Sequence, residues 1–307
     1  MTSLLKILLE PLRPFLKIKN LKEISVLRQK EVGLEIDGKG YTFVEVQELN
    51  YDYWKMLCHV LANINGLIFN LETHPILSTS FQDPETKKFH RFEAMLGPFV
   101  KDEISISIRL HRAHNKTFKD FGMTDLLIEK IRNSVRCQKS ILISGGTSSG
   151  KTTFLNLLAQ EIPLSKRILT VEDTQELILP HKNWKSYLIP RGETNGSITY
   201  QSVIDHFMRS RPDIVLTGEV STRNSFPILR LLNTGHKGFM CTIHANSPEL
   251  ALESAFEQNL NLSGYKVEKV FDFLKKTIDL VIQIESKDSD KKRIQSIWEK
   301  EENSREF

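Results

Sequence analysis

"ISGGTSSGKTTFLNLLAQ", residues Ile143 to Gln160, is the stretch whose reading decides the fold. Three apolar residues lead into it, two glycines and a run of hydroxyls follow, and then comes an apolar helix. Gly145 to Thr152 satisfies G-x-x-x-x-G-K-[ST] between a strand and a helix, the pattern of a phosphate-binding loop. Each part has a physical reason. Glycines let the backbone curl until successive N–H groups point inward at phosphate oxygens. The helix that follows presents its positive end to the same place. The expected binding set is Gly145, Gly146, Thr147, Ser148, Ser149, Gly150, Lys151, Thr152 and Thr153. Lys151 supplies a point charge to the β- and γ-phosphates, and the Thr152 hydroxyl is the expected ligand for Mg²⁺.

The totals frame this reading. The chain has 307 residues, 40% hydrophobic and 26% charged, enough for two cored domains. Its net charge of +4 permits contact with an anionic membrane face or nucleic acid and demands neither. Cys58, Cys137 and Cys241 lie far apart with no C-x-x-C, which argues against a disulfide framework or a zinc site and fits a reducing compartment. The opening "MTSLLKILLEPLRPFLKIK" is apolar, but Glu10, Pro11, Arg13 and Pro14 interrupt it before it reaches membrane-spanning length. It is expected to be an amphipathic helix packed on its own domain, with a membrane-surface helix as the alternative. The expected location is the cytoplasm.

Residues 24–47 alternate in short runs around the turn "DGKG" (Asp37 to Gly40), a hairpin signal. "DYWKMLCHVLANING" is a helix pattern ending in Asn-Gly, and "HRFEAMLGP" and "EISISIRL" read as strands. Residues 1–112 are therefore expected to form a small α+β domain, with 113–123 as a polar linker. From 124 to 307 the texture changes to apolar runs between helices: "ILISGG", "RILTVED", "DIVLTGE", "FMCTIHA", "DLVIQIE". Runs buried on both faces point to an α/β domain with a parallel or mixed sheet. The tail from Ser286 is charged and is expected to be partly disordered at its end.

A phosphate-binding loop needs a metal partner and a positioned water to hydrolyse what it holds. Three boxes follow that offer them. "RILTVEDTQEL" ends a strand with Glu172 and Asp173, at the sheet edge where ligands bind. Glu172 is the first choice for polarising water. "SRPDIVLTGEV" resembles a Walker B strand with Gly218-Glu219 in place of the usual terminal Asp, and Glu219 is assigned to the metal and its waters. "NTGHKGFMCTIHAN" carries His236 and His244; His244 is the expected phosphate sensor, and His236 is left to a loop or interface role.

Together the four boxes, in this order and spacing over about residues 140–250, resemble the secretion-superfamily traffic ATPases, hexameric motors of type IV secretion, type II secretion and type IV pili. The resemblance implies a RecA-like P-loop ATPase domain after a smaller α+β domain, using ATP and Mg²⁺. It is nearest to the short type IV secretion members, since the extra N-terminal domain and tetracysteine insert of type II ATPases are missing from this sequence. A type IV pilus or type II secretion ATPase is the neighbouring alternative. The resemblance further implies a ring of six with inner-membrane components of a secretion or pilus machine as partners. It places the chain at the cytoplasmic face of the inner membrane, with protein, pilin or DNA as cargo. It also implies that arginines of the first domain, here Arg91 and Arg109, reach the γ-phosphate. Arg209 and Arg211 are candidates for contacts across a subunit boundary.

Three departures stand out. Ser148 occupies a position where the family has Gly, which suits Ser only if its φ is not strongly positive. "LHRAHN" replaces a basic-Pro-Ser segment, and "VSTRNSF" lacks the acidic residue that commonly follows Glu219. Two other classes compete. A nucleic-acid translocase on the same core would need an aromatic-interleaved basic groove, and the sequence shows none. A nucleotide-gated assembly platform would bind without turnover.

Overall fold

The computed structural model describes residues 2–110, 116–191, 198–286 and 292–300. The chain forms two compact units. The first contains Met1–Ala113, Asp173–Glu176 and Leu188–Ser197; the second contains His114–Glu172, Leu177–Tyr187 and Ile198–Phe307. Two short segments expected in the later domain thus cluster with the earlier one.

In the first unit six strands form an antiparallel sheet: β1 (Leu21–Arg28), β2 (Glu31–Ile36), β3 (Gly40–Glu45), β4 (Ile76–Gln82), β5 (Phe89–Leu96) and β6 (Ile104–Leu110). Their order is β3-β2-β1-β6-β5-β4. The β2–β3 hairpin turns where "DGKG" predicts it, with Gly38 and Gly40 both at φ 75°, a region glycine enters without strain. One sheet face is covered by the helix Tyr51–Asn65. Asn50 caps its start by accepting from the Tyr53 amide at 3.0 Å, and Gly66 ends it at φ 64°. Trp54, Leu57 and Leu61 from that helix share a core with Ile24, Val26, Phe92 and Ile108. The amino-terminal helix Thr2–Leu9 joins this core through Leu5, Leu8 and Leu9, and leaves Leu4 and Ile7 exposed. Just after it, Arg13 donates to Asp83 Oδ1 at 2.7 Å, with the two side chains 7% and 1% exposed.

The second unit holds a seven-stranded sheet: β7 (Ile141–Gly145), β8 (Ile168–Glu172), β9 (Trp184–Leu188), β10 (Ile214–Glu219), β11 (Met240–Ile243), β12 (Leu280–Ser286) and β13 (Lys292–Glu299). The order is β13-β12-β7-β11-β10-β8-β9. β12, β7, β11, β10 and β8 run parallel, and β13 returns antiparallel along β12. Every residue of β7, β8 and β11 is buried, which is why these strands read as continuous apolar runs. The helix Asp125–Arg136 is capped by Thr124, whose hydroxyl accepts from Leu127 N, and it buries Ile128, Ile131 and Val135.

Two expectations about connections change. The stretch expected as linker, 113–123, is not simply polar. Phe118–Phe121 forms a 3₁₀ turn closed by a Thr117–Asp120 capping box. Phe118 and Phe121, three apart, project together onto Phe154, with ring centroids 5.6 and 5.0 Å away. Residues 111–115, and with them most of "LHRAHN", lie outside the described residues. The charged tail also begins as structure: Lys292–Glu299 is the edge strand β13, with Ile294 and Ile297 packed on the core. The expectation of disorder at the end of the tail falls on residues 301–307, outside the described set.

The Arg13–Asp83 pair generates a pH prediction. Burial pushes the Asp83 carboxyl up, but the bonds from Arg13, the Glu85 amide and the Thr86 hydroxyl outweigh it and hold the group below its ordinary 3.8. A lowered folded-state value stabilises the fold above the unfolded value, and that stability is lost as pH falls through the folded one. Asp83→Asn should cost about 3 kcal/mol in urea unfolding at neutral pH, because it removes the buried carboxylate that faces Arg13 and leaves only the more distant Glu85. The wild type should lose its advantage over the variant in acid below about pH 4.

Candidate active site

The parallel strands of the second unit end together, and their carboxyl ends carry the site. Register fixes this: Ile243 of β11 lies beside Ser144 of β7, Thr217 of β10 beside Val171 of β8, and Glu219 beside Thr242. Beyond those ends stand the loop from Gly145, Glu172, Glu219 and His244.

The loop curls tightly. A β-carbon on Gly145 would stand 2.4 Å from the Ile284 carbonyl oxygen and 2.7 Å from Ser149 Oγ, so the approach of β12 permits no side chain there. Gly150, at φ 96°, precedes the helix Lys151–Gln160. Ser148 takes φ 58°. This departs from the expectation that serine would need a φ outside the left-handed region; the conformation costs a non-glycine residue about 1 kcal/mol.

Lys151 is buried, and its ammonium donates to Gly145 O at 2.9 Å and Gly146 O at 2.6 Å. Burial brings its pKa down to about 8, against the pull of Glu219 in the other direction. The same ammonium lies 3.2 Å from His244 Nδ1. An ammonium only donates, so Nδ1 accepts and the ring proton belongs on Nε2. That nitrogen faces Glu219 Oε2 at 3.4 Å. Lys151, His244 and Glu219 thus form one polar chain across three strand ends.

Glu219 reaches this place through an irregular ladder. Thr217 pairs with Cys241 and Glu219 with Thr242, so Gly218 is an extra residue in β10. Thr242 Oγ1 donates to Gly218 O at 2.7 Å, and Asn224 Nδ2 donates to Glu219 O at 2.8 Å, pinning the bulge from both sides. Gly218 packs beside Glu172: a β-carbon there would be in ordinary contact with Glu172 Cγ, at 3.5 Å. Glu172 is 2% exposed, and its Oε1 accepts from Leu177 N at 3.1 Å.

The fit to phosphate and Mg²⁺ can be judged from the donors present. Ser149 Oγ, within the loop, is buried with no hydrogen-bond partner among the described residues. No group of three or more His, Cys, Asp or Glu among the described residues could cage a metal. Mg²⁺ prefers phosphate oxygens, waters and one or two protein ligands, so it needs no such cage. Thr147 and Thr153 lie in the same loop and first helical turn. His236 stands just before β11, half-buried, with burial lowering its pKa; Arg209 and Arg211 are exposed before β10. All three are at the opposite ends of their strands from Glu219 and His244.

In the first unit, Arg91 on β5 and Arg109 on β6 are direct cross-strand partners, and Glu23 lies opposite Arg109 on β1. Like charges placed opposite each other repel and gain from an anion between them. Arg91 is held by Glu176 at 3.2 Å and Asp173 at 3.6 Å, while Arg191 pairs with Asp173. Glu23, Arg91, Arg109, Asp173 and Arg191 line a cleft of about 250 Å³. Sequence reasoning singled out neither Glu176, which lies within the box "RILTVEDTQEL" but was given no role there, nor Arg191, which lies in no motif.

A family model described as "Type II/IV secretion system protein" matches residues 90–283. The type IV secretion system protein VirB11 of Bartonella quintana is 29% identical over 284 residues, covering 80% of this chain and 78% of that protein. Among solved structures, the ATPase DotB of Legionella pneumophila superposes with a TM-score of 0.63 at 18% identity, covering 93% of this chain and 76% of that one. The pilus retraction motor PilT with bound ADP gives 0.61 at 19% identity, covering 92% and 77%. These two likenesses speak for the fold.

The contrast between adjacent glycines is a direct test of the loop. Gly145→Ala should lower stability by about 2 kcal/mol or more and weaken nucleotide binding at least about tenfold, because its β-carbon meets backbone. Gly146→Ala, with nothing within 4 Å of the added carbon, should melt within a few degrees of wild type. Thermal melts of the two variants side by side check this.

Proposed function

We propose, from the premise that the chain belongs to the type II/IV secretion system protein family and is an ATPase energising a secretion or pilus machine, that its cycle is run by the Lys151–His244–Glu219 chain. The observation that carries this reading is that Lys151 donates to three protein acceptors, two of them carbonyls of its own loop. Incoming phosphate brings that ammonium a charged acceptor, and opposite charges add an attraction that the neutral carbonyls lack. Lys151 then turns to the β- and γ-phosphates, and His244 loses its donor. His244 is left to respond to the terminal phosphoryl, so its environment differs between ATP and ADP. Such a difference is what a ligand needs to shift a conformational equilibrium.

For hydrolysis, Glu172 accepts a proton from water as the oxygen bonds to the γ-phosphorus. The bond to the β,γ-bridging oxygen breaks with its electron pair going to ADP. The buried position of Glu172, fixed by the Leu177 amide, suits a group that must point one way. Mg²⁺, held by Thr152 and Glu219, would neutralise charge on the β- and γ-oxygens when bound. Arg91 and Arg109 are proposed to fork onto the terminal phosphoryl, a role supported by their forced proximity on β5 and β6.

The finer assignment is a motor of a type IV secretion system, acting as a ring of six at the cytoplasmic face of the inner membrane. It is supported by the likeness to VirB11 over four-fifths of the chain. The exposed Leu4 and Ile7 support peripheral membrane contact. Among the described residues no helix is long and apolar enough to cross a membrane. The α+β unit 1–112, connector 113–123 and RecA-like unit 124–307 are retained as the proposed functional division.

Two variants test the site. Lys151→Ala should abolish phosphate release. Glu172→Gln should hold ATP within about threefold of the wild-type Kd while turnover falls at least about 10²-fold. Undiminished phosphate release by either variant, measured with purified protein, overturns the assignment of that residue.

A further inference from the structure

The phosphate-binding motif accounts for one lysine in the loop, but a second lies against it. A β-carbon added to Gly150 would meet the Lys292 side chain, with Cδ at 2.7 Å, Nζ at 3.0 Å and Cε at 3.2 Å. Lys292 is 141 positions from Lys151 in sequence (292 − 151) and belongs to no motif. The sheet brings it there. It opens β13, paired with Ser286 at the end of β12. β12 in turn runs beside β7, with Ile284 next to Gly145. The start of β13 therefore lies at the same sheet edge as the loop.

Alternation along the strand sorts the neighbouring charges. Arg293 faces the other way: its Cβ is 3.7 Å from the place a β-carbon would take on Gly122, and its guanidinium pairs with Glu285. Lys292 is thus the member of the pair turned to the loop. Its ammonium stands 3.0 Å from the place a β-carbon would take on Gly150, the residue next to Lys151 in sequence. A cation held at that end of the loop attracts an anion bound by the loop.

We propose that Lys292 is a second phosphate-binding cation of this site, supplied by the carboxyl-terminal hairpin and directed at the α- and β-phosphates. The inference rests on the reading of the loop as a nucleotide site and deepens it. Gly150 marks the end of the loop where backbone amides cradle the α- and β-phosphates, while Lys151 reaches the β- and γ-phosphates. A cation at Gly150 contacts the part that ATP and ADP share. It adds affinity for both and leaves the chemistry of the terminal phosphoryl to Lys151 and Glu172. Gly150 itself is constrained by its left-handed φ of 96°.

The test is the affinity of Lys292→Met, which keeps the apolar stem and removes the charge. Fluorescent ADP and ATP analogues should each bind about five- to tenfold more weakly than to wild type, with their affinity ratio unchanged. The kcat should stay within about twofold, and KM for ATP should rise with Kd. The salt dependence of ADP binding should flatten. Lys292→Arg should recover most of the affinity and serves as the folding control, alongside thermal melts. Unchanged affinity returns Lys292 to a packing role and overturns the proposal. Tighter binding by the variant overturns it too, because the lysine would then be a competitor for the loop. Loss confined to ATP moves it to the terminal phosphoryl and overturns the α,β assignment. If wild type binds neither nucleotide, the nucleotide-site reading itself fails; if wild type binds and Lys292→Met matches it, only this inference fails.

Discussion

An ammonium group taken out of water must be surrounded by lone pairs, and the site is arranged around that requirement. Lys151 finds two carbonyls of its own loop and one imidazole nitrogen. These acceptors are neutral, and burial still pulls the lysine down to about 8. The loop is therefore closed on itself by an arrangement that is adequate and replaceable. A phosphate oxygen offers the same lysine a full charge. Because His244 and Glu219 hang on the same ammonium, the exchange cannot happen at one strand end without being felt at the next two.

The platform beneath these groups is stiff. β7, β11 and β8 are buried along their whole lengths, and β10 over its first four residues. Close-packed strands do not slide by fractions of an ångström to suit a ligand. The residues that can respond are those beyond the strand ends. The half-exposed His244 is of this kind, whereas the Gly218 bulge, inside β10, is tied down by Thr242 and Asn224.

Much of this was legible because it is local. The glycine-rich loop, the capped helices and the "DGKG" hairpin each need only a few adjacent residues, and apolar runs announce a sheet covered on both faces. What was not legible depends on partners far away in sequence. The polarity of 113–123 concealed Phe118 and Phe121, whose destination is Phe154 on another element. Lys292 reads as one charge among many in a tail until β12 places it over Gly150. Arg191 and Glu176 acquire meaning only beside Asp173 and Arg91. Ser148 marks the limit of local reasoning from the other side: its handedness is imposed by the loop, against the preference of the residue.

The additional glycine in β10 has a consequence for how such proteins are compared. Side chains alternate along a strand, so inserting one residue reverses the direction of all that follow unless the ladder absorbs it. Here the ladder absorbs it, and Thr217 and Glu219 face consecutive residues of β11. An acid written directly after an apolar run and an acid written one glycine later can then occupy equivalent points in space. Alphabetical alignment treats them as different letters in different columns. Geometry treats them as two spellings of one address.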